Sequence, residues 1–267
     1  MSSNLEFVRL GFDETPPRLI DYQWAWDEQR RIHAEVADGV RPGTVLLLEH
    51  ADVYTAGRRT EPAERPQDGT PVVDVDRGGK ITWHGPGQLV GYPIVTLPDG
   101  VYVVDYVRRL EEALIRTVSA YGLAAMRVQG RSGVWLPASG VRPERKVVAI
   151  GIRVSRKTTQ HGFALNVSPD LAAFDRIIPC GIEDAGVTSL AVELGDPPSM
   201  AEIASTAEGH LRDVSDVRGA DPEDVTFLME STSGTPRRAI HLPWSKRSEP
   251  SNDESFMTAL SRTLPSR

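Results

Sequence analysis

The chain has 267 residues, 40% of them hydrophobic and 25% charged, with a formal net charge of -7, a composition typical of a water-soluble globular protein with one sizeable core. The negative balance argues against a general nucleic-acid binder, whose footprint is a basic domain; no apolar run approaches the roughly 18 to 20 residues of a membrane span, and the first ten residues lack a basic flank followed by an apolar stretch, so a cytoplasmic protein is expected. The single cysteine, Cys180, rules out an internal disulfide and a cysteine-rich zinc site.

Residues 5–10 read as a short strand and 19–37 as a helix with Tyr22, Ala25, Trp26, Ile32 and Val36 on one face, stopped by Gly39 and Pro42. The aliphatic run 45–48, ending in Glu49-His50, has the pattern of a strand buried on both faces. A Pro-, Glu- and Arg-rich loop follows over 58–70. Strands are predicted at 72–75 and 88–97 around a glycine-rich connection, then a second helix at 104–121 with the stripe Val107, Leu110, Leu114, Val118 and Tyr121. Three further strand-like runs occupy 133–136, 146–154 and 161–167, the last two joined by a polar turn at 155–160. Ser199 and Glu202 have capping-box spacing, so a helix is expected from there to about residue 211. After Ala220 the composition shifts to Ser, Pro, Asp and Glu. The expected architecture is therefore an α+β catalytic domain over 1–217, a mixed β-sheet flanked by helices, followed by a weakly ordered tail over 218–267.

Four segments look chemical. Arg77-Gly78-Gly79-Lys80-Ile81-Thr82-Trp83-His84 and the following Gly85-Pro86-Gly87-Gln88 crowd glycines, two cations and a histidine into twelve residues, which lets backbone N–H groups approach a ligand closely. The loop lacks both the P-loop ending and the dinucleotide glycine spacing. Lys146 opens an aliphatic strand, where a cation is costly to bury unless paired or functional. The run His161-Gly162-Phe163-Ala164-Leu165-Asn166 has an apolar middle bounded by polar ends. By count alone a lone cysteine reads as a small buried hydrophobe, but Cys180 stands between Pro179 and Gly181, where the chain bends and a side chain can face a cleft.

Together with Tyr92-Pro93-Ile94, Arg131-Ser132-Gly133-Val134-Trp135 and Gly186-Val187-Thr188-Ser189-Leu190, these segments resemble, in order and approximate spacing, the octanoyltransferase family of lipoate biosynthesis. The resemblance spans about residues 53–193 and implies the fold of the biotin and lipoate protein ligase catalytic domains. It implies an acyltransferase moving an octanoyl group from octanoyl-acyl carrier protein to a lysine of lipoyl domains, those of the 2-oxoacid dehydrogenase complexes and the glycine cleavage H protein, with no cofactor; no nucleic-acid or membrane partner is expected from charge and hydropathy, and a monomer is expected. The family's acylated cysteine maps onto Cys180 and the lysine that lowers its pKa onto Lys146. Its substrate-lining segments map onto Arg77 to His84, onto Ala149, Ile150 and Gly151, and onto Gly162, Phe163 and Ala164.

Physically, a free thiol with a pKa near 8.5 is only a few per cent thiolate at neutral pH, and a neighbouring ammonium corrects that. Backbone N–H groups near Gly162, Ala164 or Gly181 are candidates for the oxyanion, and Lys146 for the base that frees the incoming amine. His84 and His161 are read either as auxiliary groups or as residues that only hold a loop. Because both protein substrates implied by the resemblance are acidic, Arg58, Arg59, Arg77, Lys80, Arg153, Arg156 and Lys157 are candidates for recruiting them by charge. The rival readings are an ATP-dependent lipoate or biotin ligase, an amidotransferase between lipoyl domains, and a lipoyl-domain or acyl-chain binding module.

Overall fold

The computed structural model describes residues 5–12, 14–177 and 185–215. Cys180 and the whole of the expected tail lie outside the described residues. In chain order the elements are β1 (Glu6–Leu10), α1 (Tyr22–Ala37), β2 (Thr44–Leu48), β3 (Val53–Ala56), β4 (Val72–Asp74), β5 (Thr82–His84), β6 (Gln88–Ile94), α2 (Val103–Ser119), β7 (Met126–Val128), β8 (Arg131–Leu136), β9 (Arg145–Ser155), β10 (Thr158–Asn166), β11 (Gly186–Val187), α3 (Leu190–Leu194) and α4 (Met200–Ser215). The main sheet runs β1-β2-β6-β10-β9-β8-β7, with β11 added beside β9. It is mixed, since β1 runs parallel to β2 and β11 parallel to β9, whereas the other neighbours are antiparallel. A small sheet, β4-β3-β5, stands apart from it.

Strand periodicity explains how both faces are filled. In β2, Val45 and Leu47 join the core that contains Leu110 and Leu114 of α2 and Ile203 and Ala207 of α4. Their alternates Leu46 and Leu48 join Ala25, Ile32 and Val36 of α1 on the other face. The Asp21 carboxylate caps α1 by accepting the Trp24 N–H at 2.8 Å, and α4 begins with the expected capping box, in which Glu202 accepts from the Ser199 N–H at 2.8 Å.

Four strands, β3, β5, β7 and the two-residue β11, lie where no strand was read in the sequence. All are only two to four residues long, too short to show a period. The predicted turn over 155–160 contracts to Arg156 and Lys157, both at positive φ. Thr158 to Gln160 belong to β10 despite their polarity because their side chains are buried, and the Thr159 hydroxyl donates to the Pro93 carbonyl at 2.7 Å.

The pairing of β8 with β9 slips by one residue: Val134 lies opposite Val148, but Trp135 lies opposite Lys146 and Leu136 opposite Arg145. The extra residue is Val147, and both Val147 and Val148 are buried in the core, the signature of a bulge that re-aims its neighbours. Gly133 sits at the start of this irregularity with φ 113°, and its N–H donates at 3.0 Å to Glu111 of α2. Glu111 is fully buried and is held there by Arg108 at 2.6 Å and Arg127 at 3.3 Å, the pairing a buried carboxylate requires. A Cβ on Gly133 would lie 2.4 Å from the Val148 carbonyl oxygen. Gly133→Ala is therefore expected to cost about 2 kcal/mol or more, read as a lower urea midpoint with an unchanged m value. An unchanged midpoint would mean that the bulge relaxes freely.

Candidate active site

A cleft of about 230 Å³ opens between the glycine-rich loop and the β9–β10 hairpin. From β9 it takes Lys146, Ala149, Ile150 and Gly151, and from β10 His161, Gly162, Phe163 and Ala164. Glycine is required twice where these strands come close. A Cβ at Gly162 would lie 2.0 Å from the Gly91 carbonyl oxygen, and one at Gly91 would lie 2.2 Å from the Phe163 ring. Phe163, Ala149, Ile150 and Ala164 supply the apolar part of the lining.

Lys146 is 8% exposed. Among the described residues no carboxylate lies within ion-pair distance of its Nζ, and no Asp or Glu lines the cleft. Its close partner is Trp135, whose ring centroid lies 4.7 Å from Nζ, a cation–π contact of about 2 kcal/mol when desolvated.

The opposite wall is the loop after β4. Gly78 donates its N–H to the Ile152 carbonyl at 3.0 Å, which lays the loop on β9. Arg77 is buried, and its guanidinium donates to the carbonyls of Gly78, Lys80 and Thr55 at 3.1, 2.7 and 2.8 Å, so the loop is wrapped around a cation. Lys80 is paired with Glu64 and Glu61. Asp76, just before Arg77, accepts from His161 at 2.8 Å and pairs with Arg153; the His161 hydrogen bond is the main influence holding its carboxyl below the usual range.

A profile described as the lipoyl protein ligase A/B catalytic domain matches residues 21–212. A curated octanoyltransferase from Salinispora arenicola is 62% identical over 210 residues, covering 79% of this chain and 95% of the relative. Another, from Cutibacterium acnes, is 58% identical over 219 residues, covering 79% and 80%. The chain belongs to the octanoyltransferase family. It is accordingly an acyltransferase, and the α+β fold agrees: a bipartite lipoate protein ligase from Thermoplasma acidophilum superposes with a TM-score of 0.57 at 13% identity, covering 80% of this chain and 84% of that one.

In this octanoyltransferase-family cleft, the residues marked from the sequence fall into two groups. Arg77, Gly79, Lys80, Thr82, His84, Lys146, Ala149 to Gly151 and Gly162 to Ala164 line it. Gly78 instead anchors the loop, and Ile81 and Trp83 turn away, since β5 alternates, into a separate cluster with Tyr54 and Phe174. Tyr22, Arg59, Tyr92 and residues 130–132 also line the cleft. Tyr22 was legible only as part of the buried stripe of α1. Of the basic residues considered for recruitment, Arg153, Arg156 and Lys157 are each paired with an aspartate, whereas Arg58 and Arg59 are exposed with no carboxylate within ion-pair distance among the described residues.

Behind the cleft, buried hydrogen bonds fix two histidine tautomers. The Thr188 carbonyl accepts from Asn166 Nδ2 at 2.9 Å, Asn166 Oδ1 from Gln88 Nε2 at 2.9 Å, and Gln88 Oε1 lies 2.8 Å from His84 Nδ1. A carbonyl can only accept, so the chain runs one way and His84 carries its proton on Nδ1. By the same reasoning His50 donates from Nδ1 to the Ile20 carbonyl at 2.8 Å and accepts the Tyr92 O–H at 2.7 Å on Nε2. Burial pushes His84 down to about 3, with His50 as a second cause, and His50 down to about 4.

These histidines stay neutral in the folded chain while the unfolded chain protonates them below about pH 6.5, so stability is full above that pH and is lost as pH falls toward about 4. Urea unfolding at pH 5.5 should show about 1 kcal/mol less stability per buried histidine than at pH 7.5. Equal stability at the two pH values would contradict the neutral assignment.

Proposed function

We propose that this chain transfers an octanoyl group from octanoyl-acyl carrier protein to a lysine of lipoyl domains, such as those of 2-oxoacid dehydrogenase complexes and the glycine cleavage H protein, through an acyl thioester on Cys180. The observation that carries the reading is Lys146: a buried cation without a carboxylate partner among the described residues, on the strand whose Ala149 and Ile150 belong to the apolar part of the cleft lining. The segment that bears Cys180 is followed by β11, where Val187 pairs with Lys146 itself.

In the first half-reaction the Cys180 thiolate, favoured by the Lys146 ammonium, attacks the donor thioester. A carbon–sulfur bond to Cys180 forms, the bond to the carrier breaks, and the carrier thiolate takes a proton from the Lys146 ammonium, which leaves the Lys146 amine neutral. In the second, the acceptor lysine must lose a proton to attack, and the neutral Lys146 amine takes it. The amide forms and Cys180 leaves as thiolate. Because the donor arrives as a thioester, the reaction needs no ATP and no other cofactor. Arg77 to His84, Ala149 to Gly151 and Gly162 to Ala164 form the substrate-binding set, Gly78, Ile81 and Trp83 acting by holding the loop. The catalytic domain in this reading is 1–217, with 218–267 an accessory tail, and the enzyme works as a cytoplasmic monomer. Among the described residues no helix is long and apolar enough to cross a membrane.

Incubation with octanoyl-acyl carrier protein and no ATP should add one octanoyl group by intact mass, lost with hydroxylamine and absent in Cys180→Ser. Lys146→Ala should slow transfer by roughly 10²- to 10⁴-fold, and Lys146→Arg should fail as well, because a guanidinium stays charged. An adduct on another residue, or a requirement for ATP, would sink the reading.

A further inference from the structure

The fully buried Trp135 is not accounted for by the reaction or by hydrogen bonding. Its indole N–H has no partner among the described residues, although a buried tryptophan N–H usually finds one. The β8–β9 slip, by contrast, has a specific consequence for it. If the register at Val134 and Val148 continued, Trp135 would face Val147 and Lys146 would face Leu136. The bulge instead sets Trp135 directly opposite Lys146, where cross-strand side chains share a face. Gly133 and the buried Glu111 secure this geometry from behind.

We propose that Trp135 is a positioning residue whose indole face holds the Lys146 ammonium in the cleft, in the place where a carboxylate would otherwise stand. The distinction matters chemically. A carboxylate would hold the ammonium but cancel its charge and occupy its N–H donors; a π face attracts the cation while carrying no net charge. The ammonium keeps its donors for the sulfur and the developing oxyanion. The other charges lining the cleft are Arg59, Arg77 and Lys80 from the loops and Arg131 from β8, all cations. Arg131 also approaches the Trp135 ring, at 5.8 Å. The titratable neighbours are neutral: buried His84 and His161 hold protons weakly, and the Tyr22 and Tyr92 phenols hold theirs tightly. Lys146 therefore has no anion competing for it among the described lining residues.

This inference rests on the reading of Lys146 as the group that favours the Cys180 thiolate, and the test separates the two. Cys180 is the only thiol, so the pH dependence of its alkylation by iodoacetamide in the full-length protein reports its thiolate directly. Fluorinated tryptophans introduced at position 135 drain the π face with almost no change in shape. They should raise the pH midpoint stepwise with fluorine content. Trp135→Leu should raise it by about one unit, about tenfold slower alkylation at pH 7, and Trp135→Phe by less. If Lys146→Met raises the midpoint and the fluorinated series does not, the role of Trp135 is overturned and the dyad stands. If Lys146→Met leaves the midpoint unmoved, the dyad reading fails and this inference fails with it.

Discussion

A lysine ammonium removed from water, with no acidic partner among the described residues, is the constraint around which this site is organised. Such a group is destabilising unless something replaces its hydration. Here the Trp135 ring does so, and the ring is opposite Lys146 only because Val147 is inserted as an extra residue in β9. The bulge depends on Gly133, and Gly133 is fastened by Glu111 and its two arginines. A line of dependence thus runs from helix α2 through a buried ion cluster and a strand irregularity to one cation at the edge of the cleft.

The second wall uses a cation differently. The Arg77 guanidinium donates to three backbone carbonyls and to the Thr55 hydroxyl, which fixes the shape of the glycine-rich loop. His161 is the counterpart on β10. Its φ of 58° is a strained choice for a residue with a side chain, and it is held by Gln29 accepting its N–H at 3.0 Å and by Asp76. The β10–β6 pairing covers Phe163 to Asn166 and stops short of His161, level with Pro93, which has no N–H to offer the ladder.

Much of this was legible in the sequence. Long elements with strong periodicity, α1 and α2 above all, and aliphatic strands such as β2 declare themselves, and the glycine-rich loop, Lys146 and the 161–166 run stood out by composition. The short strands β3, β5, β7 and β11 did not, because two to four residues cannot display a period. Nor did the division of labour within the loop, where the alternation of β5 sends Thr82 and His84 to the cleft and Trp83 away from it. A register slip leaves no trace in a single sequence, so Trp135 read only as part of a strand and of the family-like segment Arg131 to Trp135, and the one-way hydrogen-bond chain from Thr188 to His84 joins residues more than a hundred positions apart.

The central claim is that the acyl chain occupies the cleft between β9, β10 and the glycine-rich loop, with its carbonyl beside Lys146. A crystal structure of the octanoylated enzyme tests this most directly. The account predicts the octanoyl carbons in contact with Ala149 to Gly151 and Gly162 to Ala164, and the thioester carbonyl within reach of Lys146 Nζ. An acyl chain bound elsewhere on the domain, or a thioester remote from Lys146, would contradict it.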